Sequence, residues 1–151
     1  AADLSPSQRA SLRDEALAVI EAPAFAPFLG AGSRAEVPFS VRVENPFGGP
    51  DMTISGQVDR LAHTDGMVHV LDFKTHRPGA RTADEVAPDI IRQMALYRAA
   101  FAALFEQQTI VMSVLWTDGA RLMTLPDKAL DAAFDAAARQ VGSDTPADEP
   151  T

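Results

Sequence analysis

The chain has 151 residues, a length that favours one domain. Its 13 Lys and Arg residues against 21 Asp and Glu residues give a formal net charge of −8. That charge disfavours a protein that binds nucleic acid by itself, because neutralising phosphates requires clustered basic side chains. Cysteine is absent, which excludes disulfides, Cys-ligated zinc and iron–sulfur clusters. Any metal must be held by Asp, Glu, His or main-chain oxygen, which favours hard cations such as Mg²⁺ or Mn²⁺.

The sequence predicts neither a membrane-spanning segment nor a signal peptide. No apolar run reaches the roughly 20 residues that a membrane helix requires. The first residues lack both the basic and the apolar part of a signal peptide. The sequence begins with Ala instead of Met, so we expect it to be a piece of a longer polypeptide. A cytoplasmic location without membrane contact is expected.

The first half of the chain predicts a helix followed by three strands. Residues 5–29 have a helical pattern, with Ser5 as the N-cap, Pro6 at the first helical position, and several Pro and Gly residues that end it. Alternation of apolar and polar residues predicts three strands, at 36–44, 53–63 and 67–75. The sequence at 63–66 is typical of a hairpin turn, so the second and third strands should be neighbours.

The second half predicts a helix, two strands and a final helix. Residues 75–82 have no regular pattern and predict a loop, and residues 88–106 repeat apolar positions at helical spacing. Strands are predicted at 109–116 and within 117–125, a helix from 126 or 127 to 141, and a disordered acidic tail at 143–151. We therefore expect one α/β domain over residues 1–142, in which a three-strand meander precedes a helical crossover.

The most informative segment for chemistry is Gly56–Lys74. Asp59 lies towards one end of the second strand and Asp72 towards the end of the third. Because a short turn joins these strands, the two carboxylates can lie side by side. Lys74 follows Asp72 by two residues and so projects from the same face, whose earlier members are apolar. Burying charged side chains on such a face costs free energy unless they form ion pairs or bind a ligand.

Two interpretations of these charges compete. In the first, Asp72 and Lys74 form a partly buried ion pair, and Asp59 binds Arg60 or Arg42. This is the commoner outcome for an arbitrary Asp-x-Lys in a strand. In the second, Asp59 and Asp72 hold a divalent cation, and Lys74 lies beside the attacking water or the phosphate oxygens. Phosphodiester hydrolysis requires such a set of carboxylates, metal and cation.

Three linked motifs resemble those of a nuclease family. The sequences GQVDRL (56–61), LDFKT (71–75) and QMALY (93–97) resemble the G-x-x-D-R, D-[YF]-K-[TS] and Q-x-x-x-Y motifs of RecB-type nucleases of the PD-(D/E)xK superfamily. Residues 34–116 look most like the C-terminal nuclease domain of the AddA helicase–nuclease subunit. The resemblance implies a restriction-endonuclease-like core, with a central mixed β-sheet flanked by helices. It also implies a metal-dependent deoxyribonuclease of exonuclease type, acting in double-strand break repair and recombination.

The resemblance also implies roles for individual residues. Asp59 and Asp72 match the metal-binding acids, Lys74 matches the catalytic lysine, and the main-chain carbonyl of Phe73 matches a further ligand of Mg²⁺ or Mn²⁺. The helical motif is matched by Gln93 and Tyr97, which are four residues apart and share a helix face. A polar seam against the sheet is the alternative for those two. Glu36 is a candidate additional acid, with a solvated strand residue as its alternative.

Basic residues near the motifs are candidates for contacts with DNA phosphates. They are His76, Arg77, Arg81, Arg92 and Arg98. Ordinary surface charge is the alternative for each. The family's G-x-x-x-H motif does not occur before Glu36, so we expect it to lie upstream and this fragment alone to cleave poorly.

The resemblance finally implies partners. The sequence has no P-loop and hence no ATP site of that type. The expected partners are DNA, helicase domains of the same parent polypeptide and an AddB-like subunit, in the bacterial cytoplasm with the nucleoid. Two alternatives stay open. One is a catalytically inactive DNA-binding or subunit-docking domain that retains the nuclease fold, and the other is a small stand-alone RecB-family exonuclease.

Overall fold

The computed structural model describes residues 5–21, 23–75, 79–116 and 121–144. The helical elements are α1 (Pro6–Glu21), an N-terminal 3₁₀ segment (Pro23–Leu29), a short 3₁₀ turn (Ala83–Glu85), α2 (Pro88–Leu104) and α3 (Asp127–Asp144). The strands are β1 (Ser33–Val43), β2 (Met52–Thr64), β3 (Met67–Lys74), β4 (Thr109–Trp116) and β5 (Arg121–Thr124).

Within the described ranges the five strands form one mixed sheet in the order β1-β2-β3-β4-β5. The first three strands are antiparallel neighbours, β3 and β4 are parallel, and β4 and β5 are antiparallel. The parallel pair is joined through α2, as parallel neighbours require a crossover connection. The predicted α/β fold, a central mixed sheet flanked by helices with a meander before the crossover, is confirmed.

Each face of the sheet carries its own core. On the helix side, α2 and α3 pack on apolar residues of the three central strands, including Val58, Val70, Val114 and Trp116. On the opposite side, the 3₁₀ segment places Phe25 and Phe28 against Ala62, Leu71 and Leu115. The third strand is therefore covered on both faces, which is why Leu71 and Val70 are both fully buried although they point in opposite directions.

The N-terminal helix is shorter than the sequence pattern predicts. The predicted helix over 5–29 is two elements, because α1 ends at Glu21 and a 3₁₀ segment follows it. Pro23 and Pro27 lack the N–H that a continuing α-helix needs. The predicted N-cap is confirmed: the Gln8 N–H donates to Ser5 Oγ at 3.2 Å, and the Ser5 N–H donates to Gln8 Oε1 at 2.8 Å, which is a capping box.

Other element boundaries differ from the predictions by a few residues. β1 begins at Ser33, before the predicted start at 36, and α2 ends at Leu104, before the predicted end at 106. α3 continues to Asp144, so the part of the predicted tail at 143–144 is helical, and residues 145–151 lie outside the described residues. Across the described part of the chain, no helix combines the length and the apolar character needed to cross a bilayer.

The buried Asn45 ties the turn after β1 to α3. Its Nδ2 donates to the Ala138 carbonyl at 2.9 Å, and its Oδ1 accepts from the Phe47 N–H at 3.0 Å. We expect Asn45→Ala to lower the free energy of unfolding by about 1–3 kcal/mol, because it removes both hydrogen bonds of a buried amide, each of which typically contributes about 0.5–1.5 kcal/mol. Urea unfolding measures this loss. The exposed neighbour Glu44 gives the control: Glu44→Ala should change stability by no more than about 0.5 kcal/mol, and equal losses in both variants would contradict the assignment.

We expect His69 on β3 to make the stability of the fold depend on pH. Its ring lies edge-on to Phe28 at 6.1 Å, and its Nε2 is 3.2 Å from Thr64 Oγ1. Burial lowers the pKa of His69 from its ordinary value of 6.5. The stability that neutral His69 contributes is therefore present above 6.5 and is lost as the pH falls through the lowered pKa.

The expected consequence is a drop in the urea midpoint of the wild type between about pH 7.5 and about pH 5.5, the range in which histidine titrates. His69→Gln should reduce this drop, because glutamine takes up no proton in either state. His63→Gln, at the exposed histidine of the hairpin, is the matched control. Equal pH dependence in the wild type and in His69→Gln would show that this histidine does not contribute.

Candidate active site

The two aspartates lie where β2 and β3 stop pairing. The last pair of the ladder is Arg60 with Leu71, and the next positions are those of Asp59 and Asp72. At this point the Phe73 N–H donates to Asp59 Oδ2 at 2.6 Å. The Asp59 carboxylate thus takes the place of a main-chain carbonyl as the contact between the two strands. The register set by the hairpin turn therefore brings the two carboxylates to one place, as predicted.

The sheet is irregular at Asp59. Val58 lies in the helix-side core and Ala62 lies in the core on the opposite face, although residues four apart in a regular strand share a face. The alternation therefore breaks between them. Opposite Asp59, Glu36 is missing from the pairing register and has φ of 53°, a left-handed conformation that is uncommon for a residue with a side chain. Asp59 thus lies at a local irregularity that involves both strands.

A chain of polar contacts links β3 to α2. Lys74 Nζ lies 2.7 Å from Asp72 Oδ2 and donates to Gln93 Oε1 at 3.0 Å. Gln93 Nε2 in turn contacts the Tyr97 hydroxyl at 3.4 Å. Asp72 and Lys74 therefore share the helix-side face, as their spacing predicts, and the Q-x-x-x-Y residues reach the same site from the helix.

Tyr97 explains the glycine of the first motif. Its ring packs edge-on against Phe39 of β1, with ring centres 4.8 Å apart. A Cβ added at Gly56 would lie 2.3 Å from the Tyr97 hydroxyl and 2.7 Å from Cζ. Only glycine leaves room for this tyrosine. This contact between a helix and a strand does not follow from the local sequence patterns, although the occurrence of both residues in linked motifs was a usable signal.

Gly56→Ala should displace Tyr97 and with it the support of Gln93. We expect a loss of about 1–3 kcal/mol in the free energy of unfolding, the usual range for overpacking a tight site. A double-mutant cycle with Tyr97→Ala in urea measures the coupling, and the double variant should lose less than the sum of the single losses. Gly30→Ala is the control, because the nearest atom to an added Cβ there is 3.9 Å away. Additive losses at Gly56 and Tyr97 would contradict the packing argument.

The electrostatics of the site favour the binding of a further cation. Asp72 is only 8 % exposed. Burial raises the pKa of its carboxyl, the Lys74 ammonium opposes that rise, and the neighbouring Asp59 carboxylate adds to it. Apart from the ion pair with Lys74, Asp72 Oδ2 has no hydrogen-bond partner among the described residues. Within the described residues, the Lys74 ammonium is the one cation paired with these two adjacent carboxylates, so their negative charge is incompletely compensated.

This donor set fits a hard divalent cation. The site offers carboxylate and main-chain oxygens, which are the ligands that Mg²⁺ prefers. Among the described residues, no group of three or more His, Asp or Glu side chains converges on one point. Two carboxylates, Asp59 and Asp72, are therefore the side-chain ligands that this part of the chain can supply. The Phe73 carbonyl, on the residue between Asp72 and Lys74, stays the predicted main-chain ligand.

The sequence comparison decides the family. The family described as the PD-(D/E)XK nuclease superfamily matches residues 2–148, nearly the whole chain. The chain belongs to the PD-(D/E)XK nuclease superfamily. Members of this superfamily are in general nucleases that depend on divalent metals. Asp72-Phe73-Lys74 has the form of the (D/E)XK part of the family's name, and Asp59 precedes it on the neighbouring strand.

A search of the curated proteins gave no match. Among solved structures, the chain is similar to the one described as the crystal structure of SSO0001, with 14 % sequence identity and a TM-score of 0.45. That similarity covers 87 % of this chain and 68 % of the other.

Not all the predicted site residues of this superfamily member come together. Glu36 is exposed on β1 and is not gathered with the two aspartates. Arg98 forms ion pairs with Asp127, at 3.2 Å, and with Asp131, and so links α2 to α3. Because its guanidinium is engaged in these ion pairs, Arg98 is no longer a candidate for contacts with DNA phosphates. The remaining basic candidates divide in two: Arg81 and Arg92 are exposed, whereas His76 and Arg77 lie outside the described residues.

Arg60 has a different partner from the one proposed for it. Of the first interpretation of the charges, the partly buried ion pair of Asp72 with Lys74 is confirmed. The contact of Asp59 with Arg60 is wrong, because the Arg60 guanidinium donates to Ser33 Oγ at 2.9 Å and to the Phe28 carbonyl at 3.2 Å. The residue after Asp59 therefore ties β2 to the start of β1 and to the 3₁₀ segment. Its place in the G-x-x-D-R motif was the signal that could have indicated a structural role beside the aspartate.

Proposed function

We propose that this chain is a divalent-metal-dependent deoxyribonuclease domain of exonuclease type. Within the superfamily we assign it to the AddA/RecB-like helicase–nucleases that act in double-strand break repair and recombination. The observation that carries the proposal is the pair of adjacent carboxylates, Asp59 and Asp72, with Lys74 2.7 Å from the more buried one. The three linked motifs on which the family resemblance rests support the finer assignment.

Each residue of the site has a role in this reaction. Asp59, Asp72 and the Phe73 carbonyl would hold Mg²⁺ or Mn²⁺. When bound, such a cation acts as a Lewis acid on the phosphate and lowers the pKa of a water molecule. The Lys74 ammonium orients the attacking water or stabilises charge that develops on the phosphate oxygens. Gln93 accepts a hydrogen bond from Lys74 and so fixes the direction of its ammonium.

The same electrostatics weigh against an inactive docking domain. A buried carboxylate beside a second carboxylate is unfavourable without a cation to compensate both. A domain that served only to dock would be more stable with a neutral residue at Asp72, and it gains nothing from a polar chain directed at that position. The raised pKa of Asp72 therefore supports a site that binds a cation.

The net charge of −8 supports the proposed context. In a helicase–nuclease, helicase domains of the same polypeptide and an AddB-like subunit would supply the basic surfaces that guide DNA. Among the described arginines, Arg81 and Arg92 are the exposed candidates for local phosphate contacts in this domain. Such contacts are few, so the affinity of this domain alone for DNA should be low and should fall only gradually as the salt concentration rises, because the slope scales with the number of phosphate contacts.

The proposed function is tested with end-labelled DNA. The chain is incubated with linear single-stranded DNA, linear duplex DNA and closed circular single-stranded DNA in Mg²⁺, Mn²⁺ or EDTA. We expect cleavage of linear DNA only with a divalent ion, and none by Asp59→Asn. Cleavage in EDTA, or unchanged cleavage by Asp59→Asn, would overturn the assignment of the site. No cleavage by a wild-type chain that also fails to bind Mn²⁺ would favour the docking domain.

A further inference from the structure

One row of side chains crosses three strands at the active-site end of the sheet. Lys74 of β3 pairs with Trp116 of β4, and Trp116 pairs in turn with Arg121 of β5. Paired residues of neighbouring strands project from the same face of a sheet. Trp116 belongs to the helix-side core, so all three side chains lie on the face that carries the candidate active site. Arg121 is therefore two strands from Lys74, about 10 Å at the usual strand spacing.

The main chain that follows Lys74 returns over this row. Gly79 and Ala80, here called the 79–80 segment, are both buried, and Ala80 belongs to the helix-side core. A Cβ added at Gly79 would lie 3.1 Å from Trp116 Cβ and 3.0 Å from Arg121 Nη2. The segment thus packs directly against both side chains. It therefore lies next to Lys74 on the side that faces β4.

Arg121 holds the 79–80 segment in this place. Its Nη1 donates to the Ala80 carbonyl at 2.6 Å, and its side chain is half-buried. A guanidinium presents its donors in a rigid plane, so it fixes a carbonyl more firmly than a flexible ammonium does. The hydrogen bond therefore ties the segment to β5, an edge strand that carries none of the three sequence motifs.

The contacts of Lys74 depend on a confined setting. Its Nζ lies 2.7 Å from Asp72 Oδ2 and donates to Gln93 Oε1 at 3.0 Å, and its side chain is only 17 % exposed. Water that entered beside Lys74 would weaken the ion pair, because charges attract each other less strongly in more polar surroundings. On the side that faces β4, Trp116 and the 79–80 segment exclude that water.

We infer that Arg121 is a positioning residue of the candidate active site. It acts through the 79–80 segment, which keeps the Lys74 ammonium directed at Asp72 and Gln93. The inference rests on the proposed function for its effect on cleavage, whereas the effect on Lys74 can be measured without DNA. Loss of Arg121 should therefore lower kcat for DNA hydrolysis and leave KM nearly unchanged. A direct contact of Arg121 with a DNA phosphate would instead raise KM.

The chemical accessibility of Lys74 gives a test that needs no cleavage. The chain has two lysines, Lys74 and the exposed Lys128. The whole chain is treated with acetic anhydride in EDTA, and mass spectrometry of its peptides follows the acetylation of each lysine. Arg121→Met should raise the rate at Lys74 at least about threefold by local opening and leave Lys128 unchanged. Arg121→Lys, which keeps a donor for the Ala80 carbonyl, should restore most of the protection.

A variant elsewhere in the chain separates this local effect from general loosening. Asn45→Ala also removes a side-chain hydrogen bond to a main-chain carbonyl, that of Ala138, and should not change the acetylation of Lys74. Circular dichroism shows whether each variant is folded, and Arg121→Gln replaces Arg121→Met if the latter is unfolded. Unchanged acetylation of Lys74 in the Arg121 variant, or an equal increase in Asn45→Ala, would overturn the inference.

Cleavage of linear DNA in Mg²⁺ completes the test. Arg121→Met should lower kcat about 10- to 100-fold, the effect of a displaced catalytic group, with KM within a factor of about two. A raised KM with unchanged kcat would overturn the positioning role. If the wild type cleaves DNA while acetylation of Lys74 is independent of Arg121, the inference is wrong and the nuclease stands. If acetylation depends on Arg121 but the wild type does not cleave, Arg121 still positions Lys74 and the nuclease is wrong.

Discussion

Asp72→Asn is expected to abolish cleavage while leaving the chain at least as stable as the wild type. Removing a metal ligand should lower the cleavage rate by about 10³-fold or more, because a bound cation contributes several kcal/mol to catalysis. Stability should respond differently. The raised pKa of Asp72 means that its ionised form is disfavoured in the folded chain. The stability that the protonated Asp72 carboxyl contributes is therefore present below the ordinary pKa of 3.8, and it is lost as the pH rises through the raised pKa.

Near neutral pH the wild type therefore carries an unfavourable charge that the Asp72→Asn variant does not have. Lys74 loses its partner in the variant but keeps the hydrogen bond to Gln93. Initial rates on labelled linear DNA in Mg²⁺ and thermal unfolding in EDTA measure the two effects. Asp51→Asn, at an exposed aspartate, is the matched control and should change neither. A clearly lower Tm with cleavage retained would show instead that Asp72 serves a structural ion pair.

Lys74→Met is expected to separate cation binding from cleavage. Loss of the Lys74 ammonium should lower the cleavage rate about 10²- to 10³-fold, the usual effect of removing one group that stabilises transition-state charge. Affinity for a divalent ion should stay the same or increase, because the ammonium that lies 2.7 Å from Asp72 Oδ2 no longer competes for that oxygen. Methionine has a similar length and fills the same space without the charge.

Calorimetric titration with Mn²⁺ and initial cleavage rates test both parts of this prediction. The only other lysine, Lys128, is exposed on α3, so Lys128→Met should leave rate and affinity unchanged. Loss of Mn²⁺ binding in Lys74→Met, or a cleavage rate within a factor of about two of the wild type, would contradict the role assigned to the lysine.

The parts of the site that could be predicted from the sequence depend on local rules. Strand alternation places Asp72 and Lys74 on one face, and their contact at 2.7 Å follows from that. The hairpin turn sets the register that brings Asp59 beside Asp72. Helical spacing puts Gln93 and Tyr97 on one face of α2. Each of these inferences needs only the residue spacing of a helix or strand, or the position of a turn, and both can be recognised in a single sequence.

The parts that could not be predicted depend on how distant elements pack. Arg98 binds residues 29 and 33 positions further along the chain, because α3 packs beside α2. Arg60 reaches the Phe28 carbonyl, 32 positions earlier, because the 3₁₀ segment covers the opposite sheet face. The fit of Tyr97 against Gly56 likewise depends on the distance between a helix and a strand. Charge pairing in a sequence does not distinguish such partners from solvent or phosphate.

The central claim is that Asp59 and Asp72 together bind a divalent cation, and counting bound Mn²⁺ tests it most directly. Electron paramagnetic resonance of free Mn²⁺, titrated with the wild type, Asp59→Asn, Asp72→Asn and Asp51→Asn, gives the number of sites and their affinity. We predict binding by the wild type and by Asp51→Asn that is lost, or weakened at least about tenfold, in both site variants. Binding by Asp59→Asn and Asp72→Asn that equals the wild type would contradict the claim, and the pair would then be structural.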